Sequence, residues 1–169
     1  MGRQNSIILS IAALVLILGG ILLYAEPDNN TQPGQDNEQH QTEDVLKPDR
    51  DLHDFGTISM KDGKVKTAFK VRNENAEAVQ MNKLYTSCMC TEAVLKLQDK
   101  RLGPYGMPGH GAFPTFKESL APGQEAEIEI VFDPNAHGPS GVGPIERVVV
   151  LEDTSHELLN IQIKANVIP

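Results

Sequence analysis

Apolar and polar residues alternate along three stretches in the C-terminal two-thirds of the chain. Alternation is the period of a β-strand with one buried face. Val65, Thr67, Phe69 and Val71 alternate with Lys64, Lys66, Lys70 and Arg72, with Ala68 as the one small residue on the outer face. Ala126, Ile128, Ile130 and Phe132 alternate with Glu125, Glu127 and Glu129. Ile161, Ile163, Ala165 and Val167 alternate with Gln162, Lys164 and Asn166. Residues 147–151 form a short, nearly continuous apolar run, as a central strand does. Residues 52–58 and 79–86 are weaker strand candidates. Gly, Pro, Asn and Asp punctuate the chain at 62–63, 73–76, 122–123, 133–144 and 153–156. No long stretch carries a helical period. The pattern predicts an all-β domain over residues 48–169, an antiparallel β-sandwich of short strands.

The other apolar feature lies at the N-terminus. Residues 4–25 hold no charge and are rich in Ile, Leu, Val and Ala between Arg3 and Glu26. At about 1.5 Å per residue, a helix of 20 residues reaches about 30 Å, the thickness of a bilayer core. Residues 1–25 are expected to form an uncleaved signal anchor, a single transmembrane helix. A cleaved signal peptide is the alternative, but its apolar region is ordinarily shorter and ends in a small-x-small site. Only Ala25 has the right size here, with Leu23 two residues before it. No cysteine follows the run, so a lipoprotein anchor is excluded.

Charge changes the picture next. The formal net charge is −8, and it is unevenly spread. Residues 26–47 hold six acids against Lys47, and residues 48–169 hold 17 acids against 13 bases. The first of these segments is Asn, Gln, Asp, Glu and Thr with few apolar residues, so burial cannot offset the entropy of ordering it. It is expected to be a flexible acidic linker. Arg3 lies before the apolar run and acids follow it, so the positive-inside rule leaves the N-terminus in the cytoplasm and the domain outside. The expected location is the cell membrane, single-pass, with an extracytoplasmic C-terminal domain. Asn29-Asn30-Thr31 is a formal glycosylation sequon. An acidic chain lacks the clustered Lys and Arg that nucleic acid requires, so no nucleic-acid partner is expected.

Several residues form an ordered set: Asp54-Phe55-Gly56-Thr57-Ile58, the Gly63 turn, Phe69, Val71 and Asn73, then Thr86-Ser87-Cys88-Met89-Cys90-Thr91, Pro122-Gly123 and Phe132-Asp133-Pro134. This set resembles a bacterial domain family of unknown function with an immunoglobulin-like sandwich of the Hydin/ASH and major-sperm-protein type. The resemblance covers about residues 51–167. It implies an exported or membrane-anchored, non-catalytic domain. In the family the motif is typically Ser-Cys-Gly-Cys-Thr; here Met89 stands in place of the Gly. A Gly/Pro-rich segment, residues 102–122, also separates the motif from the following strand. The chain has no Trp and lacks the cysteine pair that bridges the two sheets of an antibody domain.

Cys88 and Cys90, the only two cysteines, are the main candidates for chemistry. On an extended backbone residues i and i+2 face one way, about 7 Å apart at Cα, farther than a disulfide readily bridges. Three readings stand: two small semi-buried residues at a strand end, sometimes oxidised; a soft-metal site; and a thiol redox pair. Thiolate and thioether ligands select copper(I). Met107 and His110 in the Gly/Pro segment, and His137 in a later loop, would complete a set of Cys88, Cys90, Met107, His110 and His137. Met89 would face away and is left out. A redox pair ordinarily has C-x-x-C spacing at a helix N-terminus, and neither is present. His40, His53 and His156 are expected to be solvated surface residues. Glu125, Glu127 and Glu129 form a solvated strand face, and Ser87 lacks the surroundings of a nucleophile elbow. Pro104, Pro108 and Pro114 are expected to keep the Gly/Pro segment out of any ladder, with Tyr105, Phe113 and Phe116 packing it down.

The sequence therefore predicts a membrane-anchored extracytoplasmic Ig-like domain with no catalytic residues and no certain cofactor. It acts as an interaction or structural module with a protein partner in the cell envelope. The alternative is a copper(I)-handling protein built on Cys88 and Cys90.

Overall fold

The computed structural model describes residues 45–110 and 115–169. Residues 41–169 group as one compact unit. The apolar run at 4–25, most of the acidic linker, and Phe113 and Pro114 lie outside the described residues. Among the described residues no helix is long and apolar enough to cross a membrane.

Eleven strands make the described part all-β. They are β1 (Lys47–Pro48), β2 (Leu52–Ser59), β3 (Val65–Arg72), β4 (Val79–Met81), β5 (Lys83–Thr86), β6 (Thr91–Leu97), β7 (Lys100–Tyr105), β8 (Glu118–Leu120), β9 (Glu125–Phe132), β10 (Gly143–Glu152) and β11 (Glu157–Ile168). One sheet runs β1-β3-β9-β6-β7, a second β2-β11-β10-β5, and β4 and β8 pair separately. Every pairing is antiparallel except β2 against β11, which is parallel.

The alternating stretches place their apolar halves inside. In β9 Ala126, Ile128, Ile130 and Phe132 are buried, while the glutamates between them are on the other face. Register carries this across the sheet: Phe69 pairs with Ile128, and Ile128 with Leu95 of β6. These meet Leu84, Leu151, Ile161 and Ile163 of the other sheet in one core. At about 25 cal/mol per Å2 of apolar surface, such side chains are the main source of stability. The outer face of β9 is paired by charge: Lys96 Nζ lies 2.8 Å from Glu127 Oε1 and 2.7 Å from Glu129 Oε2, and Arg101 adds 3.0 Å to Glu129.

Several expectations are corrected. Residues 79–86 form two strands, β4 and β5, in different sheets, with Asn82 between them. The strand β6 is absent from the sequence reading: it is an interior strand, all of its seven positions except Glu92 are partly or fully buried, and buried Val94 between Glu92 and Lys96 interrupts the alternation on its outer face. The Gly/Pro segment does enter the ladder. β7 runs through Gly103-Pro104 because it is the outermost strand, where one side needs no N–H donors. Gly103 has φ +109, and a Cβ there would lie 2.9 Å from the Ala93 carbonyl oxygen. Leu46 and Lys47, assigned by composition to the linker, belong to the fold: Leu46 is fully buried and donates its N–H to Leu158 O at 3.1 Å.

Candidate functional site

The segment between β5 and β6 carries the chain from one sheet to the other. Thr86, the last residue of β5, pairs with Val149 of β10. Thr91, the first of β6, pairs with Phe132 at the end of β9. Cys88, Met89 and Cys90 therefore form the crossover at one end of the sandwich. The crossover is tightly turned: Thr91 N donates to Cys88 O at 3.1 Å, and Cys90 N to Cys88 Sγ at 3.2 Å. Thr86 and Thr91 are fully buried, and Thr86 Oγ1 lies 3.0 Å from Cys88 O and 2.9 Å from Thr91 O. These contacts satisfy the carbonyls that a turn inside the protein would otherwise strand.

This corrects the extended geometry expected for Cys88 and Cys90. The turn shortens their Cα separation to 5.2 Å, within reach of a bridge, and the two are joined by a disulfide. Both cysteines are buried. Met89, at the tip between them, is 52% exposed.

The two sheets bring one side chain each to this disulfide. The register that sets Thr91 beside Phe132 also sets Cys90 beside Asp133, whose N–H donates to Cys90 O at 2.8 Å. The loop that follows carries His137, whose Nε2 lies 3.3 Å from Cys88 Sγ. Asn135 steadies that loop by donating Nδ2 to Met60 O at 2.7 Å, and Asp133 Oδ1 accepts from Asn135 N. On the other side Ser87 and Val148 exchange two hydrogen bonds of 2.9 Å, N–H to carbonyl and N–H to Ser87 Oγ. The residue before Val148 in β10 is Arg147, and its Nε donates to Cys90 Sγ at 3.2 Å.

Of the five residues expected to share a ligand, Cys88, Cys90 and His137 come together. Sγ of Cys88, Sγ of Cys90 and a ring nitrogen of His137 all lie within 4.8 Å of one another, with His137 exposed. His110 is exposed and is not part of this group. Met107 is half-buried in the turn that follows β7, where Gly106 O accepts from Thr86 N at 3.2 Å and Met107 O from His110 N. Arg147 was not anticipated. Its only mark in the sequence is a positive charge opening an apolar run, and its place beside Cys90 follows from strand register, not from spacing. Of the other histidines, His156 is exposed beside Asp153, while His40 lies outside the described residues. His53 differs from expectation: it is half-buried, edge-on to Phe55 at 4.5 Å between centroids. Burial, and secondarily the Arg50 charge, hold its pKa below the ordinary imidazole value.

Comparison with known proteins supports the fold. A family model described as "Protein of unknown function (DUF1573)" matches residues 46–103. The match spans β1 to β6 and the cysteine crossover, and ends before His137 and Arg147. No curated protein matches the chain. Among solved structures, a protein of unknown function from Porphyromonas gingivalis W83 superposes with a TM-score of 0.51 at 19% identity over 72% of this chain. The chain spans 46% of that protein's length. The ASH/PapD-like domain 7 of human CEP192 aligns over 73% of this chain and 85% of its own, at 14% identity and a TM-score of 0.40. The first of these likenesses bears on the fold alone.

Proposed function

We propose that this chain is a membrane-tethered, extracytoplasmic Ig-like module that binds another protein of the cell envelope and performs no catalysis. The observation that carries the reading is the edge of β2. This strand is eight residues long, and among the described residues it pairs only with β11 and has no strand on its other side. An open edge presents a row of N–H and C=O groups to which an extended peptide can add. The edge is also guarded. Asp54 pairs with Lys164 and Thr57 with Asn166, so Phe55 and Gly56 form a bulge opposite Ala165. Gly56 takes φ +68 there, and its N–H is capped by Asp54 Oδ1 at 2.8 Å. The bulge deters indiscriminate edge-to-edge pairing and favours a partner strand that fits around it. The Cys88–Cys90 disulfide supports an oxidising compartment, outside the cytoplasm.

The test is site-specific photo-crosslinking in intact cells, with the probe at Asp54 or Thr57 on β2 and at Lys66 on β3 as control. The expected result is a discrete adduct with one envelope protein from the β2 positions and none from Lys66. Equal labelling from all three positions, or none from β2, overturns the reading.

A further inference from the structure

We propose that the sandwich-end crossover is a redox-gated copper(I) site, closed as the Cys88–Cys90 disulfide and opened by reduction, with Cys88, Cys90 and His137 as ligands and Arg147 as charge partner. The donor set is soft: two thiolates and one imidazole match copper(I) better than hard divalent cations. The geometry is close to what three-coordination needs. Metal–ligand bonds of about 2.0–2.3 Å put trigonal ligands about 3.5–4 Å apart, and the three donor atoms already lie within 4.8 Å of one another. Cα atoms 5.2 Å apart leave both Sγ atoms free to swing onto one ion once the bridge is broken.

Charge favours a monovalent ion. Two thiolates and a neutral imidazole around copper(I) carry one net negative charge. The Arg147 guanidinium, with its Nε 3.2 Å from Cys90 Sγ, neutralises it in a largely buried setting. Zinc(II) in the same place would leave the cluster neutral and the Arg147 charge uncompensated. It would also lack the fourth protein ligand that structural zinc sites use. The exposed ring of His137 is the side from which an ion enters, because both sulfurs are buried.

The chemistry has two steps. A dithiol reductant transfers two electrons and two protons to the chain: the Sγ–Sγ bond breaks, Cys88 and Cys90 become thiols, and the reductant leaves as its own disulfide. Copper(I) then displaces the two thiol protons and takes His137 nitrogen as third ligand. Exchange with an oxidised dithiol carrier, which takes up the two electrons and leaves as its dithiol, re-forms the Sγ–Sγ bond and releases copper(I), so the same bond that closes the crossover switches the site off.

The test is titration of the full chain, purified in detergent, with copper(I) under anaerobic conditions against a chromophoric copper(I) chelator. The dithiol-reduced chain should take up one copper(I), and the untreated disulfide form none. Cys88→Ser and Cys90→Ser should each weaken binding by roughly 100-fold or more. His137→Ala, a change at an exposed side chain, should weaken it about 10- to 100-fold. His110→Ala should leave the affinity unchanged. Arg147→Gln should weaken copper(I) more than zinc(II). The oxidised and reduced forms share one sequence, so their comparison stands even if a cysteine variant fails to fold. Equal uptake by both forms, uptake unaffected by His137→Ala, or a preference for zinc(II) overturns the proposal.

Discussion

Asn73 is a fully buried amide at the end of β3. Its Nδ2 donates to Leu120 O and to Glu77 O, each at 2.8 Å, and its Oδ1 accepts from Asn75 N at 2.9 Å. Asn73→Ala strands these groups, and each buried unsatisfied group costs about 1–3 kcal/mol. Urea unfolding should show a loss of about 2–4 kcal/mol without a change in slope. An effect below 1 kcal/mol would mean that water replaces the amide. The crossover disulfide behaves differently. It closes a three-residue loop, and chain entropy assigns so small a loop only about 1.5 kcal/mol. Reduction should therefore lower the melting temperature modestly and leave the β-sheet circular dichroism intact. Loss of the fold on reduction would show that the bridge, not the core, holds the crossover. At this scale the sequence identified Cys88, Cys90 and His137 but not Arg147, because side chains that meet through strand register have no fixed spacing along the chain.

The strands that the sequence showed best are those with one wet face. β3, β9 and β11 alternate, and their apolar halves line the core. In β6 buried Val94 stands between Glu92 and Lys96 on the outer face and breaks the alternation, β7 carries a proline on an outer edge, and β4 and β8 have three residues each, so none of these writes an alternation long enough to read. β1 was hidden for another reason: two residues suffice to place Leu46 in the core. Leu46→Ala should cost about 2–5 kcal/mol by cavity formation. Chemical denaturation of the full chain checks it, and a cost near zero would return residue 46 to the linker. The charged outer face makes a pH prediction. Hydrogen bonds from Lys96 first, and then Arg101, hold the Glu129 carboxyl below the ordinary glutamate value. A carboxylate depressed in the folded state stabilises above its unfolded pKa, and that contribution fades as pH falls through the folded value. The same contacts hold the Lys96 ammonium above the ordinary lysine value, Glu127 first and then Glu129. That share is complete below the unfolded lysine pKa and is lost as pH rises through the folded value. Lys96→Met should therefore flatten the acid limb of a melting-temperature profile below about pH 4.5 and change little near neutrality. An unchanged acid limb would show that solvent screens the pairs fully.

For the whole molecule, the net charge of −8 is unevenly spread along the chain. One positive residue, Arg3, precedes the apolar run, and six acids follow it before Lys47. We propose that this run is an anchor, and the positive-inside rule then sends the acidic side outward. On that proposal the folded domain lies in an oxidising compartment, where a C-x-C disulfide persists and a dithiol reductant would open it. Three measurements on cells making the full chain decide this together. The protein should stay with membranes through alkaline carbonate washing, external protease should reach the domain, and N-terminal sequencing should not begin at Glu26. A mature N-terminus at Glu26, with the protein recovered in a soluble exported fraction, would replace the anchor by a cleaved signal. The domain would remain outside the cytoplasm, but any partner at the β2 edge would then have to hold it at the envelope without help from a tether.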